Sequence, residues 1–165
     1  MLRLDGKVAL VTGCGSRGPG WGNGQAIAVL LARQGARVYG VDVDPEAGAV
    51  TASRIAEEGG TACVEHTDVT SEPAGRAMLA DCLARYGRID VLVNNVGRSE
   101  PGGPVEMAPE VWEEQLRLNL TTAFLTCKHA LPLMQEARAG SVVNVSSVAG
   151  LRYVGKPQVA YAAAK

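Results

Sequence analysis

An apolar run, Val8-Ala9-Leu10-Val11, passes directly into Thr12-Gly13-Cys14-Gly15-Ser16-Arg17-Gly18-Pro19-Gly20-Trp21-Gly22-Asn23-Gly24, and a helical pattern opens at Gln25-Ala26-Ile27-Ala28. Strand, glycines and helix in that order bring a backbone without Cβ atoms close to an anion and aim the free N–H groups of the helix start at it. A P-loop is excluded, because no glycine of the turn is followed by Lys and then Ser or Thr. Glycine density alone would equally suit a flexible surface loop. Asp42 tips the balance: it ends the second apolar run, about 20 residues beyond the turn, where a carboxylate accepts hydrogen bonds from an adenosine ribose. A methyltransferase remains equally open here, since such enzymes also carry glycines after the first strand, an acid after the second and often an Asp after the third, the place held by Asp68.

Short β-branched runs alternate with longer helical patterns, which predicts an α/β fold with a parallel sheet covered on both faces. Strands are expected at Lys7 to Val11, Arg37 to Val41, Ala62 to His66, Asp90 to Asn94 and Ser141 to Val145. Helices are expected near Gln25 to Gln34, Pro45 to Glu58, Glu72 to Tyr86, Pro109 to Leu118 and Thr121 to Glu136. The continuous apolar cores Val-Ala-Leu-Val, Val-Leu-Val and Val-Val-Asn-Val predict burial on both sheet faces. Pro132 should kink its helix or end it early, and Arg98 to Pro104 reads as a long loop. Residues 1–165 form one domain.

Sixteen basic against seventeen acidic residues argue against nucleic acid as a partner. The longest apolar run, Ala26 to Ala32, is too short to span a bilayer, and Arg3, Asp5 and Lys7 stand where a signal peptide would be apolar. A soluble, cytoplasmic protein is expected. Cys14, Cys63, Cys82 and Cys127 are scattered, with only His66 and His129 to assist, so no metal site is expected and the cysteines read as reduced, buried thiols.

The segment Asp90-Val91-Leu92-Val93-Asn94-Asn95-Val96-Gly97 resembles the Asn-Asn-Ala-Gly segment of short-chain dehydrogenases/reductases, with valine in place of the alanine. Read without the family, its two amides brace the sheet beside the cofactor. Leu118-Asn119-Leu120-Thr121 is similar to the family's asparagine at the start of the long fifth helix, where an Asn by itself is usually a cap. A fifth strand ends in Ser146-Ser147, and Tyr161-Ala162-Ala163-Ala164-Lys165 follows. The resemblance extends from Gly6 to Lys165. It implies a Rossmann-type doubly wound sheet, strand order 3-2-1-4-5, with further strands beyond this chain. It implies Ser147, Tyr161 and Lys165 as the catalytic set, with Asn119 holding a water that relays protons to Lys165. Cofactor contacts are implied for Gly13, Ser16, Gly22, Asn23, Gly24, Asp42, Asp68, Val69, Asn95 and Gly97. It also implies self-association as a dimer or tetramer through the long fifth helix.

The residue types suit hydride transfer between a secondary alcohol and a nicotinamide. A proton must leave or reach the oxygen nearly in step with the hydride, which calls for a poised acid/base. A free tyrosine, with a pKa of about 10, needs roughly 4 kcal/mol to titrate near neutrality. An ammonium about 4 Å away at an effective dielectric near 20 supplies energy of that order, and residues i and i+4 share a helix face. Taken singly, Tyr161 would be packing, Lys165 solvated and Ser147 a turn former. Their joint order overrides those readings and sets the methyltransferase aside.

Two departures from the family and one choice of cofactor matter. Cys14 to Trp21 lengthen the glycine-rich loop, as in related enoyl reductases, but the close spacing of Tyr161 and Lys165 favours carbonyl or alcohol chemistry. Arg17 and Trp21 of that loop either cover the cofactor or face solvent. Asp42 would repel the extra phosphate of NADP, and Val43 offers no compensating charge, so NAD is the expected cofactor, with Arg17 the one reservation. Finally, the chain ends at Lys165, where family members continue, so the domain is expected to be incomplete at its C-terminus. A non-catalytic dinucleotide-binding scaffold is the rival reading. Neither the Arg98 to Pro104 loop nor the Leu151 to Gln158 loop names the alcohol or ketone.

Overall fold

The computed structural model describes residues 3–165. Five parallel strands, β1 (Val8–Thr12), β2 (Arg37–Asp42), β3 (Thr61–His66), β4 (Val91–Asn94) and β5 (Ser141–Asn144), form one sheet in the order β3-β2-β1-β4-β5. The helices are α1 (Asn23–Arg33), α2 (Pro45–Glu57), α3 (Glu72–Tyr86), α4 (Pro109–Leu116), α5 (Thr122–Glu136) and α6 (Val159–Ala164). Among the described residues, no helix is long and apolar enough to cross a membrane.

The central strand explains the layering. Alternate side chains of a strand face opposite ways, and β1 sends Val8 and Leu10 into one core and Val11 into the other. The first core holds Met78, Leu79 and Cys82 of α3 with Ala130 and Met134 of α5. The second holds Ala28 and Val29 of α1 with Ile55 of α2. Each large aliphatic side chain so buried contributes about 1.5–3 kcal/mol. At the sheet's opposite end from the glycine turn, buried Asp90 accepts from Val8 N–H (2.9 Å), Arg88 Nε (2.7 Å) and Lys7 Nζ (3.1 Å). Burial opposes its ionisation, but Arg88, the Val8 N–H and Lys7 outweigh that and hold the carboxyl below its ordinary range.

Several expectations are corrected. The Val-Val-Asn-Val strand, β5, is mostly exposed, because it has a strand partner on one side only. α5 runs through Pro132 to Glu136, its burial of Ala130 and Met134 compensating for the missing backbone bond. The two helices expected around Asn119 form one continuous rod, joined by a π turn, Arg117–Thr121. Cys14 and Cys82 are buried, but Cys63 and Cys127 are only partly so. Burial pushes the Cys14 and Cys82 thiols up to about 12, which leaves both inert near neutrality.

Candidate active site

The C-terminal ends of the strands and the loops that follow them enclose a groove of about 300 Å³. The glycine turn forms one wall. Gly13 adopts a φ of 63°, and a Cβ on Gly24 would lie 1.8 Å from the Gly13 carbonyl oxygen. Only a backbone without side chains can close this turn. Gly22 starts α1 with no side-chain cap and no acidic residue in the first turn. By contrast, Asp44 caps α2, accepting from Glu46 and Ala47 N–H, and Ser71 caps α3. The helix facing the groove thus keeps its positive end available to an anion.

Asp42 stands across from this turn at the end of β2. Its Oδ2 accepts from Gly15 N–H at 2.7 Å and its Oδ1 from Asp44 N–H at 3.0 Å. Each oxygen retains a further lone pair for a hydroxyl. Asp68 follows β3, where Thr70 Oγ1 and N–H donate to it at 2.7 and 2.9 Å. The Thr70 hydroxyl is the main cause of its lowered carboxyl pKa, against the opposing effect of burial.

The amides after β4 tie the floor together. Asn94 Nδ2 donates to Asn144 Oδ1 (2.8 Å), and Thr126 Oγ1 donates to Asn94 Oδ1 (2.6 Å), joining β4 to β5 and α5. Asn95 Nδ2 donates to the Gly13 carbonyl at 2.8 Å. Beyond it, Gly97 is squeezed: a Cβ there would lie 2.8 Å from Asn119 Oδ1 and 2.9 Å from Lys165 Nζ.

Lys165 is partly buried at the C-terminal end of α6, donating from Nζ to the Val145 carbonyl at 2.9 Å and, more weakly, to the Val96 carbonyl at 3.5 Å. Burial lowers its ammonium pKa. Tyr161 lines the same groove. So do Gly13, Ser16, Gly22, Asn23, Gly24, Asp42, Asp68, Val69, Asn95 and Gly97, and Arg17 with them.

The remaining pair sits elsewhere. Ser147 lies outside the groove lining; its Oγ accepts from Ala149 N–H at 3.2 Å, capping a short 3-10 turn, Val148–Gly150. Its neighbour Ser146 lines the groove and donates from Oγ to the Lys165 carbonyl at 2.6 Å. Asn119 is buried inside the π turn rather than capping a helix. Its Nδ2 donates to the Arg98 and Gln115 carbonyls and its Oδ1 accepts from Arg98 N–H, each at 2.9 Å. A smaller cavity of about 140 Å³ is lined by both Asn119 and Lys165.

Two residues escape the sequence reading. Gln115 is fully buried, and its Oε1 accepts from Glu100 N–H at 3.2 Å, fixing the loop after Gly97. Its position one helical turn before Asn119 was the available signal. Thr51, fully buried on α2, donates to the Cys14 carbonyl at 2.8 Å and accepts from Gln25 Nε2 at 3.2 Å, locking α1 and α2 to the turn. A Thr within a helix gives no such signal.

The profile of the short chain dehydrogenase family matches residues 7–165. The chain belongs to the short-chain dehydrogenase family. A 3beta-hydroxysteroid dehydrogenase of Mediterraneibacter gnavus is 38% identical over 167 residues, which cover 100% of this chain and 58% of the relative. A solved short-chain dehydrogenase/reductase from Burkholderia xenovorans is 50% identical, with a TM-score of 0.97 over 99% of this chain and 65% of that one. A 7 alpha-hydroxysteroid dehydrogenase solved with NADH and 7-oxo glycochenodeoxycholic acid is 30% identical, with a TM-score of 0.90 over 99% of this chain and 61% of that one. The chain spans roughly three fifths of the length of the curated dehydrogenases and reductases it matches, between 58% and 64%. Family and fold therefore agree with the expected sheet order.

Proposed function

We propose that this protein transfers hydride between NAD(H) and a secondary alcohol or the corresponding ketone, with Tyr161 as acid/base. The observation that carries the reading is that Tyr161 and Lys165 line the same groove as the uncapped start of α1 and Asp42. The glycine turn and the first N–H groups of α1 suit a pyrophosphate, and the lone pairs of Asp42 suit ribose hydroxyls. When bound, the dinucleotide supplies the carbon that accepts or returns the hydride.

The chain's own residues handle the proton. In the oxidation direction Tyr161 takes the alcohol proton as the carbinol hydride leaves, and in reduction it returns that proton to the oxygen. Lys165, held by the Val145 carbonyl, places a positive charge beside the reacting oxygens and favours the phenolate. Ser147 accepts from Ala149 N–H, which leaves its own hydroxyl proton to donate to the substrate oxygen. Asn119 positions the Arg98 backbone and, across the small cavity, holds a water that relays protons to Lys165. NAD is favoured over NADP because the Asp42 carboxylate repels a further phosphate. Self-association as a dimer or tetramer runs through α5, where Phe124 and Leu131 are exposed, and analytical ultracentrifugation tests it.

The deciding experiment supplies NAD+ with a panel of steroid, sugar, acyl-thioester and simple secondary alcohols and follows NADH formation. Turnover with at least one alcohol, abolished by Tyr161→Phe, is the expected result. Retained turnover in that variant overturns the acid/base assignment. NADH binding without turnover on any alcohol favours a non-catalytic scaffold.

A further inference from the structure

We infer that Trp21 and Arg54 form a latch that fastens the inserted glycine-rich loop in place as a wall of the cofactor groove. The inference rests on the NAD(H) reading of that groove.

The loop has an inner and an outer side. Gly15, Ser16 and Arg17 line the groove, whereas Trp21 does not. Its neck is pinched: a Cβ on Gly22 would lie 3.1 Å from the Gly15 carbonyl and from Ser16 Cα. The neck is anchored where Gly15 N–H meets Asp42 and where Gly15 abuts Ala47 of α2. Between the neck residues, the loop's own side-chain hydrogen bond runs from Ser16 Oγ to the Gly20 carbonyl at 2.8 Å. The described backbone hydrogen bonds include none from Ser16 to Trp21.

The loop's returning arm is held from outside. The Arg54 guanidinium, in the last turn of α2, lies 4.3 Å from the centroid of the Trp21 ring. Trp21 is 56% exposed, and the guanidinium over its ring is the contact that fixes its orientation. α2 also begins just after Asp42. One helix thus meets both arms of the loop, the outgoing arm where Gly15 abuts Ala47 and the returning arm where Trp21 meets Arg54, and keeps Ser16 and Arg17 on the groove side. Trp21 and Arg54 are positioning residues; neither lines the groove.

An exposed cation–π contact is worth about 0.5–1 kcal/mol, so each variant should raise the NADH dissociation constant about two- to fivefold. Calorimetric titration of NADH into the wild type, Trp21→Ala, Arg54→Ala and the double variant tests this without relying on tryptophan emission. The latch predicts a double variant no weaker than either single one, faster NADH release in stopped flow, partial retention in Arg54→Lys and melting temperatures within about 2 °C of wild type. Turnover at saturating NADH should be unchanged. Losses that add in the double variant, or an unchanged dissociation constant in both singles, overturn the latch. Wild-type protein that fails to bind NADH overturns the cofactor reading and the latch together, whereas tight wild-type binding with unaffected variants removes the latch alone.

Discussion

At the Gly13–Asp42 end the groove stands on β1, every residue of which is buried between two strands and two cores. At the Tyr161–Lys165 end it stands on β5, mostly exposed, and on the six residues of α6. The first end is locked by many independent contacts, among them Thr51 to Cys14 and Asn95 to Gly13. The second depends on a few: Lys165 to Val145, Ser146 to Lys165, and the bridge from Gly102 to Gln158. The difference is one of neighbours: β1 lies between β2 and β4, whereas β5 pairs with β4 alone.

That contrast can be broken by substitution. The largest effect is expected at the lightly held end, where Tyr161→Phe should lower turnover by about 10²–10⁴-fold and leave the NADH dissociation constant and melting temperature unchanged. A parallel loss of NADH binding would mean that the two ends are not separable. Gly24→Ala attacks the other end, placing a Cβ 1.8 Å from the Gly13 carbonyl. The obstacle is backbone, so a cost of about 3 kcal/mol is expected, read as a fall in melting temperature on the order of 10 °C together with lost NADH binding.

Asp42→Ala removes a groove-facing carboxylate from the rigid end. Calorimetry should find NADH binding at least tenfold weaker, by the rough worth of charge-assisted hydrogen bonds, and the margin over NADPH narrowed. Unaltered preference would remove Asp42 from cofactor choice. The smallest effect lies away from both ends. The Asp90 carboxyl is held below its ordinary range, so its contribution is present above a pH of about 4 and is lost as the pH falls through the lower folded value. Urea denaturation should find Asp90→Asn less stable by about 1 kcal/mol at neutral pH, with the gap closing in acid.

Much of this arrangement was legible in the residues. Apolar runs, turn punctuation and the Gly13-to-Asp42 spacing encode the layers and the groove wall, because each is a local pattern. The π turn was not legible: Arg117-Leu118-Asn119-Leu120-Thr121 contains no breaker, and what pins Asn119 is the backbone of Arg98, distant in sequence. Pro132 does not end its helix early, for α5 runs on to Glu136 with Ala130 and Met134 buried. β5 carried a core-like pattern whose burial depends on neighbours rather than on its own residues. Ser147 was singled out by its order in the chain, whereas the bond its Oγ accepts from Ala149 N–H is a property of the 3-10 turn.

In the proposed function hydride passes directly between a carbinol carbon and the nicotinamide, with Tyr161 handling the proton. The most direct measurement incubates the protein with NAD+ and an active secondary alcohol deuterated at its carbinol carbon, then locates the label by mass spectrometry and NMR. Deuterium on the nicotinamide ring of the NADH formed, absent with Tyr161→Phe, is the predicted result. NADH without label, or label released to solvent, would contradict it.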